Sequence, residues 1–445
     1  MQPDQRLAAL GIAIPEIVLP RPGVDLKKWA VIACDQFTQD QGYWETVQNT
    51  VGAAPSALKV ILPEIYLEAG GRAERIRRIH QTMDSYLAEG ILTLPRRGCI
   101  YLERSTPYHP LRRGVVVAVD LEQYDWKPEA QRLIRATEGT VPERLPPRMA
   151  IRRGAPLEIP HVILLIDDEA DSLLPGLGER AKKGLPVYNT PLLMDSGVIA
   201  GWFLDQEADW AYLADALEGL VQNTVRYGTG GDTAFLYAVG DGNHSLAAAK
   251  AVWEEYKAAH TGTPGLMDHP SRWAMVEVEN LYDPGINFEP IHRLLFGPDL
   301  TGVLDALAPL PGFSSRPIGS GEELSRLVGD PGVPQTRLGL IAGAAFILIE
   351  TEAPGLATES LQPLLDALVK SPPHKGVRYS IDYIHGETGV FQGNPEHPAV
   401  GILLPPIKKS GLFKTVARSG PLPRKSFSIG EAHEKRFYLD CRKLF

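Results

Sequence analysis

Cysteine, clustered positive charge and long apolar runs are all scarce in this 445-residue chain. Its 3 cysteines, Cys34, Cys99 and Cys441, are too few and too scattered for a disulfide framework or a cysteine-based zinc site. No basic region precedes the short apolar run that ends at Ile14, and the longest later run, which ends at Ile166, has only a strand's length. We therefore expect no export signal and no membrane span, and a protein of the reducing cytoplasm.

Negative charge exceeds positive charge over the chain as a whole. The 45 Lys and Arg residues face 54 Asp and Glu residues, which gives a net charge of −9 at pH 7. Binding to nucleic acid or to an anionic membrane needs clustered Lys and Arg, so neither is an expected partner. The 11 histidines include no His-x-x-x-His or His-Glu-x-x-His spacing, so the sequence predicts no zinc hydrolase.

Apolar residues make up 44% of the chain, enough for a large core and for two or three domains. Strand-like and helix-like segments alternate over residues 1–295 and predict a mixed α/β lobe, and residues 296–420 predict a smaller α/β lobe. Residues 421–445 predict a terminal segment with a helix, because Ser428 and Glu431 have capping-box spacing. Strands are expected at 29–34, 114–119, 160–166, 234–239, 273–280, 338–350 and 399–404, and further helices at 43–49, 72–89, 209–227, 246–257, 300–308 and 361–371.

The segment 237–253 is the most informative part of the chain, because an apolar strand runs into a short polar turn and then into a helix. Asp241 and Gly242 let the backbone reverse, and Asn243 or Ser245 can cap the helix. The first amide groups of the helix and the positive end of its dipole favour an anion, most often phosphate. The turn also fits a simpler interpretation, a well-capped connection that binds no ligand.

His244 favours the ligand-binding interpretation of this turn. A helix N terminus disfavours the protonated imidazole, so His244 is placed to accept a proton from a bound molecule.

Five segments of the chain together resemble the DUF1015 family of bacterial and archaeal proteins. They are the turn at Asp241 and the segments 135–138, 286–293, 381–386 and 422–428, in the order in which that family shows them. The resemblance covers most of the chain. It implies that the first lobe is similar to the ParB/sulfiredoxin superfamily, whose members bind nucleotides at a comparable turn and include free serine kinases. It also implies that the terminal helix returns toward the first lobe.

The chain departs from the family pattern within the turn itself. Asn243 and Ser245 stand where the family frequently carries His and Arg. Losing an arginine removes a bidentate ligand for phosphate, so tight binding needs a cation from elsewhere. The resemblance offers Arg293 and Lys425 for that role.

Asp35 is a candidate base or metal ligand. It follows the first predicted strand, in the place where the family carries a Pro-Tyr-Asp element. The alternative is that this segment only caps the helix expected at 43–49, a role for which Asp40 is well placed.

Two histidine or cation clusters lie later in the chain. His292 and Arg293 end a predicted loop, where a neutral histidine can accept a proton or bind a metal and the arginine can bind phosphate; a satisfied structural pair is the alternative. Lys425 and Ser426 follow Arg424 ahead of the expected terminal helix, and both the cations and the helix favour an anion.

Two other patterns carry less weight. Arginines at 135, 148, 152 and 153 can hold phosphate or can form a solvated charged face. The glycine-rich segment 227–232 precedes a strand rather than joining a strand to a helix, so it predicts a turn.

These features predict a nucleotide-dependent phosphotransferase that acts on a small hydroxyl metabolite, with free serine as one candidate through the resemblance. ATP or ADP with Mg²⁺ is the expected cofactor. The alternatives are a hydrolase of a phosphorylated small molecule and a non-catalytic nucleotide- or anion-binding regulatory protein. The assigned residues are Asp35, Asp241, His244 and His292 as catalytic groups; Gly242, Asn243, Ser245, Arg293, Lys425 and Ser426 as cofactor-binding groups; and Asp35 and Asp241 as metal ligands.

Overall fold

The computed structural model describes residues 1–67, 69–223, 227, 234–333, 335–372, 378–392 and 398–445. The chain divides into two compact units. The first unit joins Met1–Ile286 to Gly430–Phe445, and the second unit is Asn287–Ile429. The last residues of the chain therefore belong to the same unit as the N-terminal part.

The first unit alternates helices and strands. Its helices are α1 (Pro3–Ala9), α2 (Leu26–Trp29), α3 (Gln41–Val51), α4 (Arg72–Ala88), α5 (Leu145–Arg152), α6 (Leu173–Ala181), α7 (Glu207–Asn223) and α8 (Asn243–Ala259). Its strands before the second unit are β1 (Ile12–Ala13), β2 (Glu16–Val18), β3 (Arg96–Arg97), β4 (Cys99–Ser105), β5 (Arg112–Asp120), β6 (Tyr124–Asp125), β7 (Ile134–Ala136), β8 (Leu157–Glu158), β9 (Ile163–Ile166), β10 (Tyr188–Pro191), β11 (Val198–Leu204), β12 (Tyr237–Asp241) and β13 (Trp273–Asn280).

The second unit also mixes both kinds of element. Its helices are α9 (Leu300–Leu307), α10 (Gly321–Val328), α11 (Ala357–Lys370), α12 (Glu387–Gln392) and α13 (Leu412–Ser419). Its strands are β14 (Phe288–Phe296), β15 (Ser314–Ile318), β16 (Thr336–Ala342), β17 (Ala345–Thr351), β18 (Ser380–His385), β19 (Ala399–Leu403) and β20 (Phe427–Ile429). The chain then returns to the first unit with β21 (Cys441–Lys443).

The described strands form three sheets. The 10-stranded sheet of the first unit follows the order β10-β11-β4-β5-β13-β9-β12-β7-β6, with β1 paired to β5. A 4-stranded sheet in the same unit follows β3-β2-β21-β8. The 7-stranded sheet of the second unit follows β15-β17-β16-β19-β14-β18, with β20 paired to β14. The prediction of a mixed α/β protein is therefore confirmed.

Both faces of the large sheet are buried, which explains the continuous apolar runs in its central strands. In β5, Val115, Val117 and Val119 pack into the same core as residues of α8. Val116 packs into a second core, which also contains Trp44 of α3. Because successive side chains of a strand point to opposite faces, a strand covered on both sides must be apolar throughout.

The terminal helix predicted beyond Glu431 is wrong. After a short 3₁₀ turn at Ala432–Glu434 the chain is not helical, and it enters β21. Arg436, Tyr438 and Asp440 are buried polar residues that alternate with apolar ones. A period of two suits an extended chain, so this pattern outweighs the capping-box spacing.

Two other local predictions also differ from the structure. Residues 29–34 form no named strand, because α2 ends at Trp29 and the segment makes only an isolated bridge between Ile32 and Phe437. The loop predicted to end at His292 and Arg293, directly before a helix, is wrong: both residues lie within β14, which pairs with β18, β19 and β20. The Gly-rich residues 228–232 lie outside the described residues.

Several predicted elements are present within a few residues of their expected ends, among them α4, α8, α9 and the strands β5, β13 and β19. Asp40 caps α3 as expected, since its Oδ1 accepts the amide of Tyr43 at 2.8 Å. None of the helices in the described ranges has the length and apolarity that crossing a membrane requires.

Candidate functional site

The turn between β12 and α8 places Gly242 at the N-cap of α8 with a φ of 80°. Glycine adopts this left-handed conformation readily, and a Cβ here would lie only 3.0 Å from Cγ2 of Val162. No side chain caps α8, so the prediction that Asn243 or Ser245 caps it is wrong; both residues lie inside the first turn. The amides of this turn have no carbonyl partner within the helix and favour an anion at this end.

Asp241 ends β12 directly before this turn, at a register shift in the pairing with β9. Its Oδ2 lies 3.9 Å from Nζ of Lys435. Burial raises the pKa of the Asp241 carboxyl, and the charge of Asp35 adds to this, while Lys435 and His161 act against it. The turn therefore holds a carboxylate whose charge is incompletely compensated.

His161 joins the turn to two distant parts of the sequence. Its Nε2 lies 2.9 Å from Oγ of Ser245 and 3.7 Å from Oδ2 of Asp35. Its Nδ1 lies 2.8 Å from the hydroxyl of Tyr438. All four residues belong to the first unit, so the structure brings the predicted Asp35 and Ser245 together around a histidine that the sequence had not indicated.

Tyr438 fixes the orientation of the His161 ring. The hydroxyl oxygen of Tyr438 accepts the amide of Cys34 at 3.1 Å, and burial raises the pKa of the phenol well above its ordinary value. The hydroxyl therefore keeps its proton and shares a hydrogen bond with Nδ1 of His161. This contact directs Nε2 of His161 toward Ser245 and Asp35.

An ion pair flanks the loop that carries Asp35. Arg148 of α5 pairs with Glu64, and the amide of Glu64 donates to the carbonyl of Cys34 at 2.8 Å. Burial raises the pKa of Glu64, although Arg148 opposes this. Burial also raises the pKa of the Cys34 thiol, so Cys34 is not a reactive thiolate.

Arginine side chains hold the C-terminal segment where it approaches the turn. Arg104 of β4 donates to the carbonyls of residues 433–435, and Arg112 of β5 donates to one of them. These contacts place Lys435, which supplies a cation beside Asp241.

Buried ion pairs continue this attachment along the tail. Arg436 pairs with Glu277 of β13 at 2.5 Å, and Arg442 pairs with Glu158 of β8 at 2.6 Å. Removing one partner of a buried ion pair typically costs about 3–5 kcal/mol. The position of Lys435 is therefore secured from both sides.

Two buried oxygens at the turn lack a hydrogen-bond partner within the described residues: Oδ2 of Asp241 and Oδ1 of Asn243. Both are acceptors, which suits a hard cation. The described residues contain no group of three or more His, Cys, Asp and Glu side chains that could hold a metal ion. Mg²⁺ is usually held by one or two carboxylates together with ligand phosphate and water, so the assignment of Asp241 and Asp35 as its ligands stays a prediction.

A cavity of about 140 Å³ lies next to these residues. Ser245, His161, Tyr438 and Cys34 contribute to its wall together with apolar side chains from several elements. The site thus has a polar end at the start of α8 and an apolar space beside it.

His244 lies in the first turn of α8, where its Nε2 accepts the backbone amide of Val141 at 3.2 Å. This hydrogen bond uses the lone pair that would otherwise accept a substrate proton. The proton-acceptor role of His244 stays a prediction, and it requires the loss of this hydrogen bond, because Nδ1 carries the ring hydrogen while Nε2 accepts the amide.

His292 and Arg293 lie on β14 in the second unit and are buried. Nδ1 of His292 accepts the amide of Leu404 at 3.0 Å. Burial, the charge of Arg293 and His385 lower the pKa of His292 to about 4. Arg293 donates to Gln362 of α11 and stacks over a tyrosine ring of β18, so its contacts are those of a structural residue.

Lys425 and Ser426 also belong to the second unit. Lys425 has a positive φ of 59°, and Oγ of the buried Ser426 donates to the carbonyl of Pro423 at 2.6 Å. The strand β20 follows them, so the helix N terminus that was expected to help attract an anion here is absent.

The predicted arginine cluster is largely paired with carboxylates. Arg152 pairs with Glu158 at 2.5 Å and Arg153 with Glu255 at 2.8 Å, as Arg148 does with Glu64. Phosphate bound there would have to displace these partners.

Sequence reasoning missed His161, Lys435 and Tyr438. A signal for the tail was present, because polar and apolar residues alternate strictly from 436 to 442, as in an extended chain that buries one row of polar side chains. His161 carried a weaker signal, a titratable residue directly before a buried strand.

Several solved structures are distantly similar to this chain. A conserved hypothetical protein from Pyrococcus furiosus has 12% identity, with 74% of this chain and 97% of that chain covered and a TM-score of 0.35. A free serine kinase in complex with AMP has 11% identity, coverage of 74% and 92%, and a TM-score of 0.37. C-terminally truncated SbnI from Staphylococcus aureus has 10% identity, coverage of 71% and 82%, and a TM-score of 0.36. Similarity at this level assigns no function.

No protein of curated function matches the sequence. The family model of DUF1015, a protein of unknown function, matches residues 18–345. This range covers most of the chain and includes Asp35, His161 and the turn at Asp241. The chain therefore belongs to the DUF1015 family.

Proposed function

We propose that the first unit binds a nucleotide and transfers a phosphoryl group to a small hydroxyl compound at the start of α8. The observation that carries the proposal is that Asp35 and Ser245 meet at His161 while Lys435 meets Asp241, at the N terminus of a helix that no side chain in the described residues caps. Phosphoryl transfer asks a protein mainly for positioning and charge stabilisation, and these groups supply both.

The helix start and the tail bind the phosphate groups. The amides of the first turn of α8 attract anions, and Ser245 adds a hydroxyl group in the same turn. Lys435 supplies the cation that the turn itself lacks. It takes the role for which the sequence had offered Arg293 and Lys425.

The two carboxylates have separate roles in this proposal. Asp241 and Asn243 present the oxygens without hydrogen-bond partners that suit Mg²⁺, which when bound would neutralise phosphate charge. Asp35 accepts the proton of the attacking hydroxyl, since its carboxylate is partly exposed and faces His161. His244 remains the second candidate for this proton.

Hydrolysis of a phosphorylated small molecule is the second candidate function, because Nε2 of His161 lies 2.9 Å from the hydroxyl of Ser245, as a serine nucleophile and its base would. The similarity of the first unit to the ParB/sulfiredoxin superfamily, and free serine as one candidate acceptor, are expectations from the resemblance.

The test incubates the 445-residue protein with ATP or ADP, Mg²⁺ and a panel of hydroxyl compounds that includes serine, and follows phosphorus by NMR. We expect a phosphorylated acceptor that forms only when nucleotide and acceptor are both present. Asp35→Asn should lower its rate by about a hundredfold, within the range for a general base, while the exposed Asp84→Asn serves as the matched control.

Two other outcomes would reject the proposal. Release of phosphate from a phosphorylated compound without any nucleotide would indicate a hydrolase. Nucleotide binding without turnover for any acceptor would indicate a regulatory protein that senses an anion.

A further inference from the structure

The cavity beside Ser245 is apolar over most of its wall. Leu62, Met83 of α4, Ile151 of α5, Ala249 of α8 and Met275 of β13 contribute to it. These residues come from five separate segments of the first unit, so the tertiary structure rather than one loop forms the wall of the cavity.

The charged residues in the wall are already engaged. Glu158 accepts from Arg152 at 2.5 Å, from Arg442 at 2.6 Å and from the amide of Met275 at 3.1 Å. The Nε–H of Arg152 is buried and has no hydrogen-bond partner among the described residues. A purine edge presents several hydrogen-bonding atoms and would lose its water partners here, whereas a hydrocarbon ring would not.

The volume of the cavity suits one ring. An apolar protein cavity of about 150 Å³ is large enough to bind benzene, and this one measures about 140 Å³. A side chain as small as that of serine would leave most of the space unfilled.

The cavity and the polar site share Ser245 and His161. We propose that this cavity holds a ring-sized apolar group of the acceptor, so that the acceptor is an alcohol carrying an aromatic or branched aliphatic group rather than free serine. The inference rests on the proposed function for the identity of the reacting group, but the cavity itself can be tested by binding alone.

The experiment compares inorganic phosphate with phenyl phosphate, titrated calorimetrically into the 445-residue protein in the presence of Mg²⁺. Phenyl phosphate places a ring beside the phosphate without any further hydrogen-bonding group. Burial of the phenyl ring in the apolar cavity is favourable. We therefore expect phenyl phosphate to bind about 10- to 100-fold more tightly than inorganic phosphate.

Two variants fill the cavity from different elements. Ala249→Leu and Ala155→Leu each add apolar volume to its wall and should reduce the preference for phenyl phosphate to less than about threefold, while the affinity for inorganic phosphate is retained. Ala258→Leu on the exposed face of α8 is the matched control and should keep the preference. Using two positions protects the test against one variant that fails to fold.

The outcomes separate the two proposals. If neither compound binds, the anion site and with it the proposed function fail. If inorganic phosphate binds but phenyl phosphate binds no more tightly, or if the preference survives in both filling variants, the assignment of the cavity is overturned while the anion site stands.

Discussion

Both units of the chain bury histidines and charged side chains, but they use them differently. In the second unit, Nδ1 of His292 accepts a backbone amide, and Nε of Arg293 donates to Gln362. At the turn of the first unit, Oδ2 of Asp241 and Oδ1 of Asn243 are buried acceptors without a hydrogen bond in the described part of the protein. The difference lies in the two acceptor oxygens at the turn, for which the described residues supply no donor.

This contrast distinguishes a structural polar pair from a binding site. A buried polar atom without a partner costs about 1–3 kcal/mol, so a fold rarely keeps two of them at one turn without a ligand to satisfy them. Both regions contain buried titratable residues. Residue type and burial therefore do not by themselves tell whether a polar group binds a ligand. Three predictions test the contrast, from the largest expected effect to the smallest.

Asp241→Asn should abolish most activity while the protein stays folded. The change keeps the shape of the side chain but removes the charge that would hold the cation, so we expect phosphoryl transfer to fall by about 100- to 1000-fold. Steady-state kinetics measures the effect, and circular dichroism checks the fold. In parallel, His292→Asn should leave kcat within about twofold. Equal losses of activity in Asp241→Asn and His292→Asn would show that the turn of the first unit is no more important for activity than the His292 pair of the second unit.

The stability of the protein should depend on His292 below pH 6.5. Its pKa is about 4 in the folded chain, against an ordinary value of 6.5, so only the unfolded chain gains the proton as the pH falls between these values. The contribution of neutral His292 to the free energy of unfolding is complete above pH 6.5. It is lost progressively as the pH falls toward 4, by roughly 3 kcal/mol in total.

Urea unfolding at several pH values measures this dependence in the parent protein and in His292→Asn. Asparagine can still accept the amide of Leu404 through its side-chain oxygen but does not titrate, so the variant should show a flatter pH profile. Identical profiles would mean that His292 is not held neutral by burial.

Lys435→Ala should weaken binding of inorganic phosphate or ADP by about tenfold, because one cation near the phosphate is lost. The exposed Lys183→Ala is the control for a general change of charge. Lys425→Ala tests the cation that the resemblance had offered in the second unit. A larger loss of affinity in Lys425→Ala than in Lys435→Ala would show that Lys435 is not the main cation that contacts phosphate.

Local patterns in the sequence predicted those elements whose periodicity is uninterrupted. The 17-residue helices α4 and α8 and the apolar strands β5 and β13 follow from side-chain spacing. The segment after Trp29 failed because its apolar residues pack as irregular chain beneath helices, where composition resembles that of a strand. The terminal helix failed because a local capping pattern was preferred to a longer alternation.

The candidate site was only partly predictable for a similar reason. Asp35, Asp241 and Ser245 were indicated by the turn and the family resemblance. His161 and Lys435 were not, because each acts through a partner that is distant in sequence: 84 positions separate His161 from Ser245. The residue type and its neighbours in the sequence give only a weak signal of such contacts.

The sequence by itself determined the mixed α/β character, the polar turn before α8 and membership of the DUF1015 family, because each rests on neighbouring residues or on ordered motifs. Only the tertiary structure decided which charges meet at that turn. The tail is held on the large sheet by Arg104 and Arg112 and by buried ion pairs, and this brings Lys435 to Asp241. The apolar cavity beside Ser245 was equally invisible in the sequence, since a cavity is space left between side chains from separate segments and no single segment encodes it.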